Sequence, residues 1–145
     1  MFKPIENIEN EVVFLKFDIR NENDPSGLPR DSFLIYNKKN DLVGKISLLY
    51  GYDKNVRYSG HIQYEIDPED RGHNYAYYAT KAIEKIAKEY VMKYLYIVTE
   101  IDNIPSKKTI EKLGGQFQET TDVPEDVWFF NAQLKPISIY RLNID

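Results

Sequence analysis

Between two runs that read as strands, Tyr58–Ile66 and Tyr94–Val98, lies a single long segment of helical period, Asn74–Tyr90. Its apolar stripe is Tyr75, Ala76, Ala79, Ala82, Ile83, Ile86, Ala87 and Tyr90, while Lys81, Glu84, Lys85, Lys88 and Glu89 fall on the other face. An amphipathic helix set between strands must lay its stripe on a sheet, and the alanines in this one allow a close approach. Tyr94-Leu95-Tyr96-Ile97-Val98 is near-continuously apolar, the pattern of a strand buried on both faces. In the preceding run Ile62, Tyr64 and Ile66 alternate with His61, Gln63 and Glu65, giving two distinct faces. Strand and helix meet in the sharp turn Asp67-Pro68-Glu69-Asp70-Arg71-Gly72-His73-Asn74-Tyr75-Ala76. The first amides of a helix have no internal partner, and with the positive end of the helix dipole they form a site for phosphate groups.

The rest of the chain supplies the sheet. Glu11–Ile19 reads as a first strand, and the turn formers of 21–29 predict a long exposed loop. Ser32–Tyr36 and Leu42–Tyr50 read as a hairpin joined by Asn37-Lys38-Lys39-Asn40-Asp41. After another loop at 51–55, Tyr58–Ile66 is the fourth strand. Asn103 can cap a second helix with Pro105 in its first turn, an inner face including Ile110 and Leu113, and an end at Gly114-Gly115. Gln116–Thr121 and Val127–Leu142 read as the last strands, separated by 122–126. Strands, helix, strand, helix, strands, with no repeat or linker, predict one α/β (α+β) domain over 1–145. Its central sheet is expected to be mixed, mostly antiparallel, of about six or seven strands flanked by helices.

Charge and composition narrow the partners. With 19 basic and 23 acidic residues the formal charge is −4, so there is no global attraction to nucleic acid or to an anionic membrane. A phosphate-bearing ligand must be held locally. Cysteine is absent, which removes disulfides, thiolate nucleophiles and cysteine metal sites. The 12 tyrosines and 7 phenylalanines, spread through periodic segments, are read as sheet and core packing first. No apolar stretch approaches the roughly 20 residues that span a bilayer. Met1–Glu6 lacks the basic start and apolar core of a signal peptide, so the expected location is cytoplasmic.

Two motifs add chemistry. Arg71-Gly72-His73-Asn74-Tyr75-Ala76 resembles the R-x-x-G-x-G/A turn of the GCN5-related N-acetyltransferases, which opens their central helix after a strand. Tyr64-Glu65-Ile66-Asp67-Pro68 resembles that family's strand end, and Asn74 stands where glycine is usual. Asparagine tolerates left-handed backbone better than most residues. Asn103-Ile104-Pro105-Ser106, with Glu111-Lys112-Leu113-Gly114 after it, resembles the family's N-x-x-S-x-x-x-x-E-K-x-G segment. The resemblance runs from about Tyr58 to the C-terminus and is closest in motif style to the branch that acetylates ribosomal-protein N-termini.

The resemblance implies an acyl-coenzyme A N-acyltransferase fold with reduced N-terminal helices, because only 20–30 separate the first two strands of the hairpin sheet. It implies acetyl-coenzyme A as co-substrate, no metal, and a primary amine as acceptor: a protein N-terminus, a lysine or a small amine. The amides of Gly72, His73, Asn74, Tyr75 and Ala76 would grip the pyrophosphate, and Arg71 would add a cation there. Backbone groups at Ile66 would pair with pantetheine and polarise the thioester carbonyl. Asn103 and Ser106 would face the pantetheine arm. Many relatives place a tyrosine acid seven residues after the motif asparagine; here that residue is Ile110. Ser106 is then the candidate acid, with a pure capping role as its alternative, and Glu65 the candidate base, with His61 read as a surface or sheet residue. The acceptor site would be open, bordered by 20–30, the Tyr50–Tyr58 loop and 122–126, in a monomer or homodimer. A second reading is a non-catalytic acyl-coenzyme A binding or sensing module.

Overall fold

Alternating and near-continuous apolar runs before the long helix become an antiparallel meander. A computed structural model describes residues 4–144, so Met1–Lys3, the start of the Met1–Glu6 stretch read above for signal-peptide features, lie outside the described residues. The strands are β1 (Asn7–Glu9), β2 (Val13–Asn21), β3 (Arg30–Asn37), β4 (Leu42–Leu49) and β5 (Ile62–Ile66), hydrogen-bonded in that order. A short β1, invisible in the sequence pattern, pairs Ile8 with Leu15 at the sheet edge. The β3–β4 connection is tied by Asn37, whose Oδ1 accepts from the Lys39 and Asp41 amides at 2.9 and 3.0 Å.

The loop over 22–29 contains no helix, but it is stapled down rather than freely exposed. Asp24 is buried against Arg30 at 2.8 Å, and the Arg30 guanidinium also donates to Ser47 at 2.8 Å. At the loop's start, Arg20 holds the fully buried Asp31 through two nitrogens at 2.7 and 2.8 Å, and Tyr50 Oη donates to the same carboxylate at 2.7 Å. This network keeps a buried carboxylate fully hydrogen-bonded, the condition for tolerating it there.

The second half forms α2 (Tyr75–Glu89), β6 (Tyr94–Glu100), α3 (Ile104–Lys112), β7 (Gln116–Thr121) and β8 (Ile137–Asn143). The last three strands make a separate antiparallel sheet in the order β6-β8-β7. The expected stripe of α2 is the buried one, with Ala79, Ala82, Ile83, Ile86 and Ala87 packed on β2 and β4 residues. The main core sits between the five-stranded sheet and the helices, and it includes Leu15, Phe33, Leu48, Leu95 and Ile110. A smaller cluster of Val123, Val127, Ile137 and Ile139 packs with Tyr58, Tyr96 and Val98. β6 is therefore covered on both faces, but unequally: Leu95 and Ile97 are buried while Tyr96 and Val98 are half-buried.

Two expectations are corrected. Residues Val56–Ser59 form a helical turn, α1, so the strand begins at Ile62 rather than Tyr58. The run from Val127 is not strand until Ile137; turns occupy the stretch between, and its apolar residues serve the smaller cluster.

Both main helices close by the same hydrogen-bond pattern with different residues. After α3, Gly114 is left-handed (φ 90°), and the Gly114 and Gly115 amides donate to the Glu111 and Ile110 carbonyls at 3.0 and 2.9 Å. After α2, the Val91 and Met92 amides donate to Lys88 and Ala87 in the same way, but the left-handed residue (φ 61°) is Val91.

Candidate active site

Where β5 meets β6 the two sheets touch at one end and separate at the other. At the touching end the His61 amide donates to the Tyr96 carbonyl at 2.8 Å. The Tyr96 amide donates back to His61 Nδ1 at 2.9 Å. His61 Nδ1 is thus an acceptor, which puts the ring proton on Nε2, and Nε2 donates to the Gly51 carbonyl at 2.9 Å. The ring is fully buried and stacked on Tyr96, and burial lowers its pKa to about 4. His61 is accordingly a neutral clasp between the sheets and not a surface residue. Gly60 helps: at φ 77° its α-carbon passes so near β6 that a β-carbon would lie 3.2 Å from the Tyr96 carbonyl.

Beyond the clasp the strands part, and no ladder joins β5 to β6 among the described residues. The Asp67 amide donates to Val43 and the His61 carbonyl accepts from Leu49, both at 2.8 Å. Odd-numbered residues of this strand therefore direct backbone groups at β4, and Ile62, Tyr64 and Ile66 direct theirs into the gap. The gap is part of a groove of about 920 Å³ that runs from the start of α2, between β5 and β6, to Tyr58, Trp128, Phe129 and Ile137.

At its first mouth stands the turn into α2. Gly72 (φ 92°) and Asn74 (φ 61°, ψ 25°) are both left-handed, so Asn74 adopts the backbone that glycine would supply. The Asn74 side chain makes no capping bond, and the Asn74 carbonyl takes the Tyr78 amide at 3.1 Å. The amides of Tyr75, Ala76 and Tyr77 consequently have no carbonyl one turn back. Arg71 is exposed and its Nε donates to the Ile66 carbonyl at 3.1 Å, tying the turn to the strand end. His73 is exposed, its ring 5.3 Å from that of Tyr75. The field here is not uniformly positive. Carboxylate oxygens of Asp67, Glu69 and Asp70 lie within 4.8 Å of one another. Partial desolvation, then Glu69 and Asp67, push the Asp70 carboxyl above its ordinary value.

Along the groove, α3 and β5 face each other. Asn103 Oδ1 accepts the Ser106 amide at 3.2 Å, so Asn103 caps α3. Ser106 Oγ lies 3.1 Å from Tyr64 Oη, a hydroxyl pair that bridges helix and strand. Burial raises the Tyr64 pKa, and the bond to Ser106 opposes this. Ile110 is fully buried in the core and presents nothing to the groove. Ile62, Tyr64 and Ile66 pack on the helix-side core, so by strand alternation Gln63 and Glu65 face the other way. Glu65 is exposed and lines the groove.

The groove thus gathers Glu65, Ile66, Arg71, Gly72, Asn74, Tyr75, Ala76, Asn103 and Ser106; His73 is in the turn but not on the groove wall. Residues 20–30 and 122–126 do not line it, contrary to expectation, because the first loop is held over β3 and β4 by its ion pairs. Tyr64, at the start of the strand end that resembles the family's, lines it too, as do Trp128 and Phe129, which belong to no motif. A sequence signal existed only for Tyr64, which shares a strand face with Ile62 and Ile66.

A family model described as the acetyltransferase (GNAT) domain matches residues 5–116, more than half of the chain. No curated protein matches the chain significantly. Among solved structures, the fold is similar to a GNAT-family acetyltransferase from Bacillus anthracis, with 21% identity and a TM-score of 0.61 over 77% of this chain and 65% of that one. It is also similar to the Salmonella typhimurium acetyl transferase that modifies the N-terminal serine of ribosomal protein L7/L12 (16% identity, TM-score 0.61, covering 80% and 64%). A third is the microcin C7 self-immunity acetyltransferase MccE, solved with acetyl-CoA and AMP (18% identity, TM-score 0.60, covering 79% and 61%). The chain thus spans less than two thirds of the length of each of these neighbours.

Proposed function

The chain belongs to the acetyltransferase (GNAT) domain family, and from that premise we propose that it transfers an acetyl group from acetyl-coenzyme A to a primary amine. The observation that carries this reading is the groove itself. It starts at unpartnered helix amides, passes between the unpaired edges of β5 and β6, and ends among aromatic side chains on the far face of the sheet. A long ligand with phosphates at one end and a reactive group at the other fits that path. On this reading residues 1–145 act as one N-acetyltransferase domain.

In the proposed complex the amides of the turn from Gly72 to Ala76 take the pyrophosphate, with Arg71 as the nearby cation. The backbone groups of Tyr64 and Ile66 that point into the gap pair with the pantetheine amides. Bound there, acetyl-coenzyme A supplies an activated thioester. Glu65, on the acceptor side of β5, takes the proton that the amine must lose. Ser106, on the helix side, faces the departing sulfur. Base and acid thereby approach the thioester from opposite sides of β5, Glu65 from the strand itself and Ser106 from α3. Absence of cysteine accords with direct attack of the amine and no acyl-enzyme. The acceptor is a protein N-terminus, a lysine or a small amine, reaching the thioester from the mouth at Tyr58 and Trp128.

Calorimetry with acetyl-coenzyme A, followed by thiol release across peptide N-termini, lysine peptides and polyamines, tests the reading. Saturable binding with turnover of at least one amine is expected. Tight binding with no turnover for any amine would leave a non-catalytic acyl-coenzyme A module, and no binding would remove both.

A further inference from the structure

We propose that Tyr64 is the proton source behind Ser106, so that the leaving thiolate is protonated through a two-hydroxyl relay from β5 to α3. This rests on the acetyl-transfer reading above. The geometry is the 3.1 Å contact between Tyr64 Oη and Ser106 Oγ, both on the groove wall. Of the other hydroxyls along the groove, those of Ser59 and Thr109 donate to the backbone carbonyls of Gly60 and Pro105. The Tyr64–Ser106 pair holds two protons and uses one between its members, which leaves the other free to be donated into the groove.

Serine alone is a poor acid for this task, because an aliphatic alcohol is far weaker than a phenol or a thiol. A phenol ionises near 10, far closer to a thiol near 8.5 than an alcohol does, so Tyr64 is the stronger acid of the pair even with its pKa raised by burial. In the reacting complex the C–N bond forms as the C–S bond breaks, and the electron pair departs on sulfur. Ser106 passes its proton to that sulfur while Tyr64 passes its own to Ser106 Oγ. Tyr64 then recovers a proton from solvent, matching the one the amine nitrogen gives up. Burial keeps Tyr64 protonated before the reaction, as a donor must be. Tyr64 acts through Ser106 and is a positioning residue by that measure. Because it comes from β5, it serves the position that Ile110, fully buried on α3, cannot.

The test uses Tyr64→Phe, which keeps the ring and its packing, and Ser106→Ala. The first readout needs no acceptor: the pH titration of the thiol of bound coenzyme A, followed by the ¹³C shift of a labelled methylene beside sulfur. A relay that donates to the thiolate should hold the bound thiol pKa about one unit lower in the wild type than in either variant. With an accepted amine, Tyr64→Phe should lower kcat roughly 10- to 100-fold with KM for acetyl-coenzyme A within about twofold. The double variant should be no slower than Ser106→Ala, since both residues serve one path. Binding with the same thiol pKa in wild type and Tyr64→Phe overturns the relay and leaves the cofactor reading standing. Failure of coenzyme A to bind the wild type overturns both.

Discussion

Val91 is a β-branched residue in the left-handed region, 73% exposed, at the site where α3 uses a glycine. The hydrogen bonds around it are those of an ordinary helix end, so the strain belongs to the side chain and not to the motif. For L-residues that conformation costs roughly 1–2 kcal/mol, partly offset by the extra freedom a glycine brings to the unfolded chain. Val91→Gly should therefore stabilise the fold by about 1 kcal/mol, or roughly 3 °C in Tm for a chain of this size. A thermal melt that moves down would show that the Val91 methyl groups pack usefully after all. Asn74 is the same backbone met by a suitable residue, which is why the turn survives without the glycine usual at that place.

At the scale of elements, the turn into α2 sets unpartnered amides and Arg71 against the carboxylates of Asp67, Glu69 and Asp70. If pyrophosphate sits at these amides, Asp70→Asn removes a repulsion worth about 1 kcal/mol for charges ~4 Å apart in water, so coenzyme A should bind about fivefold tighter at low salt. The gain should shrink as salt rises. Weaker binding by the variant in isothermal titration would instead mean that the carboxylates hold a cation alongside the phosphates. The two long helices were legible because their signals are local. The α2 stripe, the Asn103 cap and the Gly114 stop all lie within one turn of what they control. The stretches 56–59 and 127–136 were misread because Tyr58, Val127 and Phe129 are apolar for the smaller cluster and not for a strand. In the site, the motif residues were visible one by one. The Tyr64–Ser106 contact was not, since it joins positions 42 apart through a fold the motifs only imply.

For the whole molecule, the decisive junction is His61, whose burial depends on a partner 35 residues away and so left no trace in its own strand. Its folded pKa of about 4 lies below the ordinary value of 6.5, so between those limits the unfolded chain binds a proton that the folded chain refuses. Stability from this group is therefore intact above about pH 6.5 and lost as pH falls toward 4, by about 2 kcal/mol at pH 5. Urea midpoints at pH 7 and pH 5 should show that loss in the wild type and a smaller one in His61→Gln. Equal losses would assign the acid sensitivity to carboxylates. The same junction leaves two strand edges facing each other across the groove. Past the clasp, β5 and β6 are not paired with each other, and apart from the Ile66 carbonyl held by Arg71 and the Glu100 carbonyl held by Asn103 their facing edges resemble the kind that recruit stray strands. On the proposed function, acetyl-coenzyme A threaded between them would act as a seam as well as a reactant, and the chain without it is the form expected to snag on its neighbours.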